Sequence, residues 1–144
     1  MNGFSRKEYL QLKMPTASLA VSDQRRIELA LEALGYGQAA MPLEVLRKLY
    51  PMCRQANFDI TVTLVHREQD WVVTDVEAGD QTGHHYALAV DYGSTNIVME
   101  LVDMNSGTVI GSEKLPNGQI AHGTDILTRI THAMENGPQP LQKA

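Results

Sequence analysis

Cys53 is the single cysteine in 144 residues. The chain therefore forms no internal disulfide and ligates no iron–sulfur cluster by itself, since such a cluster takes about four cysteine ligands. No run approaches the roughly 18 apolar residues that a membrane-crossing helix needs. The opening stretch, Met1-Asn2-Gly3-Phe4-Ser5-Arg6-Lys7, lacks the apolar core of a signal peptide. Positive charge is scarce too. With 12 Lys+Arg against 17 Asp+Glu, the formal net charge of −5 argues against a general nucleic-acid binder, which needs a basic face to neutralise phosphates. No internal repeat or low-complexity tract appears. The expectation is a cytoplasmic chain with no nucleic-acid or membrane partner. Its hydrophobic content of 43% and charged content of 20% are those of a globular protein, and its length suits one ordinary domain or two small ones.

Residues 1 to 21 carry Pro15 and no clean period, and read as an extended connector. Ser22 and Asp23 are good helix caps, because their side-chain oxygens accept from otherwise orphaned backbone N–H groups. Ile27, Leu31 and Leu34 then recur at helical spacing, and Gly35 offers a left-handed stop. Pro42 suits the first turn of a second helix, with Leu43, Leu46 and Leu49 on one face. Pro51 is expected to break it and begin a short helix reaching about Ala56. From Asp59 the period changes to two: Ile60, Val62 and Leu64 mark a half-buried strand, and Trp71 to Val76 its hairpin partner. The turn-rich stretch from Glu77 to Gly83 is the best domain boundary. Beyond it, Tyr86-Ala87-Leu88-Ala89-Val90 is continuously apolar, the pattern of a strand buried on both faces. A second strand, Ile97 to Val102, and a third from Thr108 to about Lys114 flank a turn where Asn105 and Gly107 both tolerate positive φ. Ile126, Ile130 and Ala133, beside Leu127 and Met134, make a final amphipathic helix ended by Gly137-Pro138. The class is α+β, with order strand, strand, strand, helix after the boundary.

One sequence carries chemistry. An apolar strand that delivers Asp91-Tyr92-Gly93-Ser94-Thr95-Asn96 into a tight turn can cradle a phosphate. Gly93 lets backbone N–H groups approach phosphate oxygens, Ser94 and Thr95 donate hydroxyls, and Asp91 holds Mg²⁺ directly or through its waters. A polar β-turn with no ligand uses the same residue types, so the pattern alone leaves both readings open.

The string from Tyr86 to Asn96 resembles the first phosphate motif of the superfamily of acetate and sugar kinases, chaperones and actin. More narrowly, it is similar to the reductive activators of corrinoid proteins. That family follows the motif with a hairpin, matched by Leu101-Val102-Asp103 and Ser106-Gly107. A further series is matched by Asn117-Gly118-Gln119, Gly123-Thr124-Asp125 and Arg129-Ile130. Upstream, Ser22-Asp23-Gln24-Arg25, Leu31-Glu32-Ala33-Leu34-Gly35 and the run from Leu43 to Leu49 resemble the family's linker and middle region. The resemblance implies residues 1–40 as a linker with one helix, and 41–82 as a small helix-plus-hairpin middle region. Residues 83–144 would be the βββα start of a ribonuclease-H-like, actin-like ATPase lobe. It further implies ATP and Mg²⁺ as cofactors, with Asp91, Gly93, Ser94, Thr95 and Asn96 at the phosphates and Asp91 at the metal. The activity implied is ATP-dependent reduction of a cobalt(II) corrinoid protein to cobalt(I), the electron coming from an iron–sulfur donor.

The sequence departs from that pattern in several places. The ferredoxin cysteines are absent, Ser94 and Asn96 replace the usual threonines, and Gly118 stands where proline is common. A second phosphate loop and an adenosine-binding segment are not seen before Ala144, so the chain reads as a fragment. A non-catalytic module that docks a corrinoid or ferredoxin partner is the alternative expectation. An unpaired sheet edge would favour self-association.

The remaining candidates are weaker. Asp125 and Arg129, four apart, suit a surface ion pair, or by resemblance a role near the nucleotide or the corrinoid partner. Adjacent His84 and His85 point to opposite faces and do not chelate together. His66, His122 and His132 lack partners at ligand spacing. Cys53 reads as a small core residue rather than a nucleophile. Trp71 reads as the cap of an apolar face, and Asp75, Glu77 and Asp80 as a solvated edge.

Overall fold

The computed structural model describes residues 4–18 and 20–144; the leader reading of Met1-Asn2-Gly3 lies outside them. Two compact units follow one another, Met1–His85 and Tyr86–Ala144. Both are α+β, each built on a three-stranded antiparallel sheet.

The first unit grows from the predicted hairpin. Strands β2 (Asp59–Arg67) and β3 (Asp70–Ala78) pair antiparallel, with a register shift between Thr63 and Leu64. Ile60, Val62 and Leu64 are fully buried, each contributing about 1.5–3 kcal/mol of transfer free energy. The expected connector is corrected here. Its Ser5–Gln11 segment is strand β1, paired antiparallel along β2 with Leu10 opposite Ile60. A single buried residue at the end of a mostly polar edge strand gives almost no periodic signal, so the neighbouring strand had to declare it. Segments 1–40 and 41–82 thus share one sheet and one core.

Helix α1 (Asp23–Ala33) starts where Ser22 accepts from the Arg25 N–H, and Gly35 takes φ +90 beyond it. Ile27 and Leu31 are buried, whereas Leu34 is exposed at the cap. Helix α2 runs unbroken from Leu43 to Gln55 with Pro51 inside it, so the predicted break at Pro51 does not occur. Proline inside a helix costs about 3 kcal/mol, but Val45, Leu49 and Cys53 recur every fourth residue and are all buried. Ending the helix at Pro51 would pull Cys53 off that shared face. The same spacing corrects the expected face, since Leu43 is exposed and Leu46 only partly buried.

Trp71 packs on the core edge as expected, in edge-on contact with the rings of Tyr36 and His66. The turn-rich stretch after β3 is anchored back to the sheet. The Thr61 hydroxyl donates to Gly79 O at 2.7 Å and accepts from the Gln81 N–H at 2.9 Å. The acidic set lies on a solvated edge as expected, and two of its members are paired there: Glu77 with Lys7 at 2.5 Å and Asp75 with Lys48 at 2.8 Å. Asp80 accepts from the hydroxyl and N–H of Thr82, which holds its carboxyl below the usual range. His85 is buried and bonds Ser5 Oγ at 3.0 Å, while His84 is exposed.

The second unit is a meander of β4 (Tyr86–Tyr92), β5 (Asn96–Asp103) and β6 (Thr108–Pro116), in spatial order β4-β5-β6. A 3-10 turn (Gly118–His122), α3 (Ile126–Asn136) and α4 (Gln139–Lys143) follow. The strand–strand–strand–helix order matches the expectation. Of the two turn residues, only Gly107 takes positive φ. The expected double burial of β4 is corrected: Tyr86, Leu88, Val90 and Tyr92 are each at least half exposed. As the edge strand of a three-stranded sheet, β4 has no layer over these side chains among the described residues. The apolar stripe of α3 is open as well, with Met134 at 82% exposure, and the buried residue of that helix is Arg129. No helix among the described residues is long and apolar enough to cross a membrane.

Candidate functional site

Strand β4 ends at Tyr92, and the chain turns through Gly93, Ser94 and Thr95 into β5. The Gly93 N–H donates across the turn to Asn96 O at 3.0 Å. A Cβ at position 93 would sit 2.7 Å from that same oxygen. Glycine is therefore required by close approach within the turn itself. Asn96 enters through its carbonyl and as the first residue of β5, opposite Pro116.

Two buried polar side chains hold this turn from behind. Asn117 is 2% exposed and Arg129 4%. Asn117 Nδ2 donates to Gly93 O at 2.9 Å, and its backbone N–H donates to Thr95 O at 2.9 Å. Arg129 Nη2 donates to Ser94 O at 2.5 Å, and its Nε to Gly123 O at 2.8 Å. All three carbonyls of residues 93–95 are thereby engaged from one side. In a trans peptide the N–H points opposite to the C=O, and the described residues contain no cis bond. The N–H groups of Ser94, Thr95 and Asn96 are directed away from Asn117 and Arg129. Among the described residues no acceptor pairs with the N–H or hydroxyl of Ser94 or Thr95, and both residues are exposed.

Asp91 lies three residues before Ser94, exposed, across from Val98 on β5. It lines a shallow hollow of about 350 Å³ with Ala89, Val90, Val98 and Glu100. No cluster of three or more His, Cys, Asp or Glu able to hold a metal occurs among the described residues. Mg²⁺ keeps most of its waters and takes one or two carboxylates with phosphate oxygens; Asp91 is an exposed carboxylate of that kind, and the hollow it lines holds none of residues 93–96.

The residues missed as a working group by sequence reasoning are Asn117 and Arg129. Asn117 lay in a recognisable series without a role, and its carbonyl partners are 22 to 24 residues earlier. The expected Asp125–Arg129 ion pair is corrected. Asp125 is the N-cap of α3, accepting from the N–H groups of Leu127 at 2.9 Å and Thr128 at 3.0 Å within a capping box. The bond from the Thr128 N–H, first among several, holds its carboxyl below the usual range. Arg129 turns instead to the backbone of the β4–β5 turn. Gly123 makes this possible: a Cβ there would lie 2.4 Å from Thr128 Oγ1, and only glycine lets its carbonyl meet Arg129 so closely.

The other histidines and Cys53 lie apart from the turn. His122 and His132, ten residues apart and without ligand spacing, lie with ring centres 4.8 Å apart in a tilted arrangement. Cys53 is fully buried, and burial pushes its thiol up, away from nucleophilic use.

Comparison with known proteins divides the chain near the junction of its two units. Residues 1–83 match the family model described as the RACo linker region, and residues 86–144 that of the RACo middle region. The chain is 41% identical over 58 residues, 40% of its length, to the corrinoid activation enzyme RamQ of Eubacterium limosum. The solved structure of a reductive activator for a corrinoid, iron–sulfur protein superposes over 98% of the chain with a TM-score of 0.80 and 29% identity. The chain spans 10% of the length of the first relative and 23% of the second.

Proposed function

The chain belongs to the RACo family, and we propose that its second unit carries a phosphate-binding turn of an ATP-dependent corrinoid activator. Ser94 and Thr95 bind phosphate oxygens through N–H and hydroxyl groups. Gly93 and Asn96 close the turn, and Asp91 holds Mg²⁺ through its waters. The βββα order of this unit agrees with the opening of a ribonuclease-H-like, actin-like ATPase lobe. The partner is a corrinoid protein, reduced from cobalt(II) to cobalt(I) for methyl transfer. The electron comes from an iron–sulfur donor. Hydrolysis of bound ATP supplies the work of an uphill transfer, in which each 59 mV of a one-electron gap is about 1.4 kcal/mol.

The carrying observation is the set of three consecutive carbonyls engaged from behind, which leaves the Ser94 and Thr95 donors directed outward. The test is calorimetric titration of the chain with Mg·ATP, beside Asp91→Ala. Saturable binding that weakens in Asp91→Ala supports the reading; no binding by the folded wild type overturns it.

The open apolar side chains of β4 and α3 favour a second reading, a module that docks a corrinoid or ferredoxin partner or a second copy of itself. Docking would then be equally tight with and without Mg·ATP. Nucleotide-dependent capture would count against it.

A further inference from the structure

Burial of two such polar side chains needs a reason. A purely structural brace for the turn could be neutral throughout, as Asn117 is. Arg129 is instead a cation, 4% exposed, whose bonded partners are the neutral carbonyls of Ser94 and Gly123. The acid on its own helix, Asp125, is occupied as the N-cap, and no carboxylate pairs with Arg129 among the described residues. A buried charge whose nearest acid acts on it only through space is costly. Its bond to Ser94 O lies in the same peptide group as the Thr95 N–H. A charged donor on the carbonyl polarises that group and makes its N–H a stronger donor on the opposite side.

We propose that Asn117 and Arg129 are positioning residues for an anion at the turn. Asn117 fixes the directions of the Gly93–Ser94 and Thr95–Asn96 peptides. Arg129 fixes the Ser94–Thr95 peptide and places behind it a positive charge that Asp125 offsets only through space, which a phosphate group in front would balance further. The proposal rests on the phosphate-binding reading of the turn and adds the origin of its charge preference.

The test titrates the full chain with metal-free inorganic pyrophosphate, at several ionic strengths, following backbone amide shifts. In the wild type, the amides of Ser94, Thr95 and Asn96 should move most. Arg129→Met should weaken binding about tenfold or more, equivalent to 1.4 kcal/mol, and flatten the salt dependence because a charge is gone. Asn117→Ala should weaken binding to a similar degree yet keep the wild-type salt dependence. Arg129→Lys should restore the salt dependence while shifting the Thr95 amide, since lysine lacks the planar fork. A merely structural Arg129 would move neither the salt dependence nor its rescue by lysine. If Arg129→Met loses the native amide pattern, Arg129→Lys and the wild-type shifts decide. Pyrophosphate binding by the wild type with unchanged affinity and salt dependence in the folded variants overturns the proposal and leaves the phosphate-binding reading standing. No binding by the folded wild type overturns both.

Discussion

Replacing Gly93 by alanine should loosen the β4–β5 turn by an amount that follows from the geometry. The new Cβ would lie 2.7 Å from Asn96 O, where ordinary contact begins near 3.4 Å, so a gap of about 0.7 Å must open. The obstructing atom is backbone, and it already accepts from the Gly93 N–H at 3.0 Å. Opening the gap stretches that bond past the normal limit of about 3.2 Å. The Gly93 carbonyl moves with the same segment, which disturbs its bond from Asn117 at 2.9 Å. Two hydrogen bonds at about 0.5–1.5 kcal/mol each give a loss of about 1–3 kcal/mol. The lower entropy of an unfolded alanine returns about 0.4–1 kcal/mol. Amide exchange at position 93 and at Tyr92 and Ile97 should therefore quicken by about one order of magnitude, the equivalent of about 1.4 kcal/mol. Trp71 is the only tryptophan and lies in the first unit, so its fluorescence-detected urea midpoint should stay fixed and serve as control. Wild-type exchange rates at the turn in Gly93→Ala would refute the close-packing argument.

Other perturbations read different parts of the chain. Val62→Ala, at a fully buried position, should cost about 1–3 kcal/mol through lost burial and a small cavity, seen as a lower urea midpoint by Trp71 fluorescence. Burial, then the bond it donates to the Glu8 carboxylate, raises the Tyr36 hydroxyl to about 12 from 10.0. The native state thus keeps a proton that the unfolded state releases, and stability should fall as pH rises from about 10 to about 12. Tyr36→Phe should remove that slope in urea titrations at pH values across the window. Asp125→Ala should lower protection of the Leu127 and Thr128 amides, while Asp125→Asn keeps the cap. Because the Asp125 carboxyl is held low, its support for α3 is present above about pH 3.8 and fades as pH falls through its folded value. Exchange measured at two acidic pH values checks this, an unchanged rate in Asp125→Ala counting against the cap.

The sequence by itself determined the local elements and the place of the turn. Alternation of Ile60, Val62 and Leu64 required a strand, because only a pleat puts every second residue on one face. The Ser22 cap and the Ile27–Leu31 spacing required α1, and Asp91 to Asn96 announced a turn between two strands. Local spacing did not determine β1, whose partners on β2 lie 48 to 60 residues further along the chain. Nor did it determine that α2 runs through Pro51, where burial of Cys53 outweighs a lost hydrogen bond. Only the tertiary structure decided that Arg129 leaves Asp125 to cap α3 and reaches Ser94 O, and that Asn117 binds both neighbouring peptides. Hydrogen bonds from side chains to distant carbonyls leave no period in a sequence, since the acceptor is a backbone atom that every residue carries.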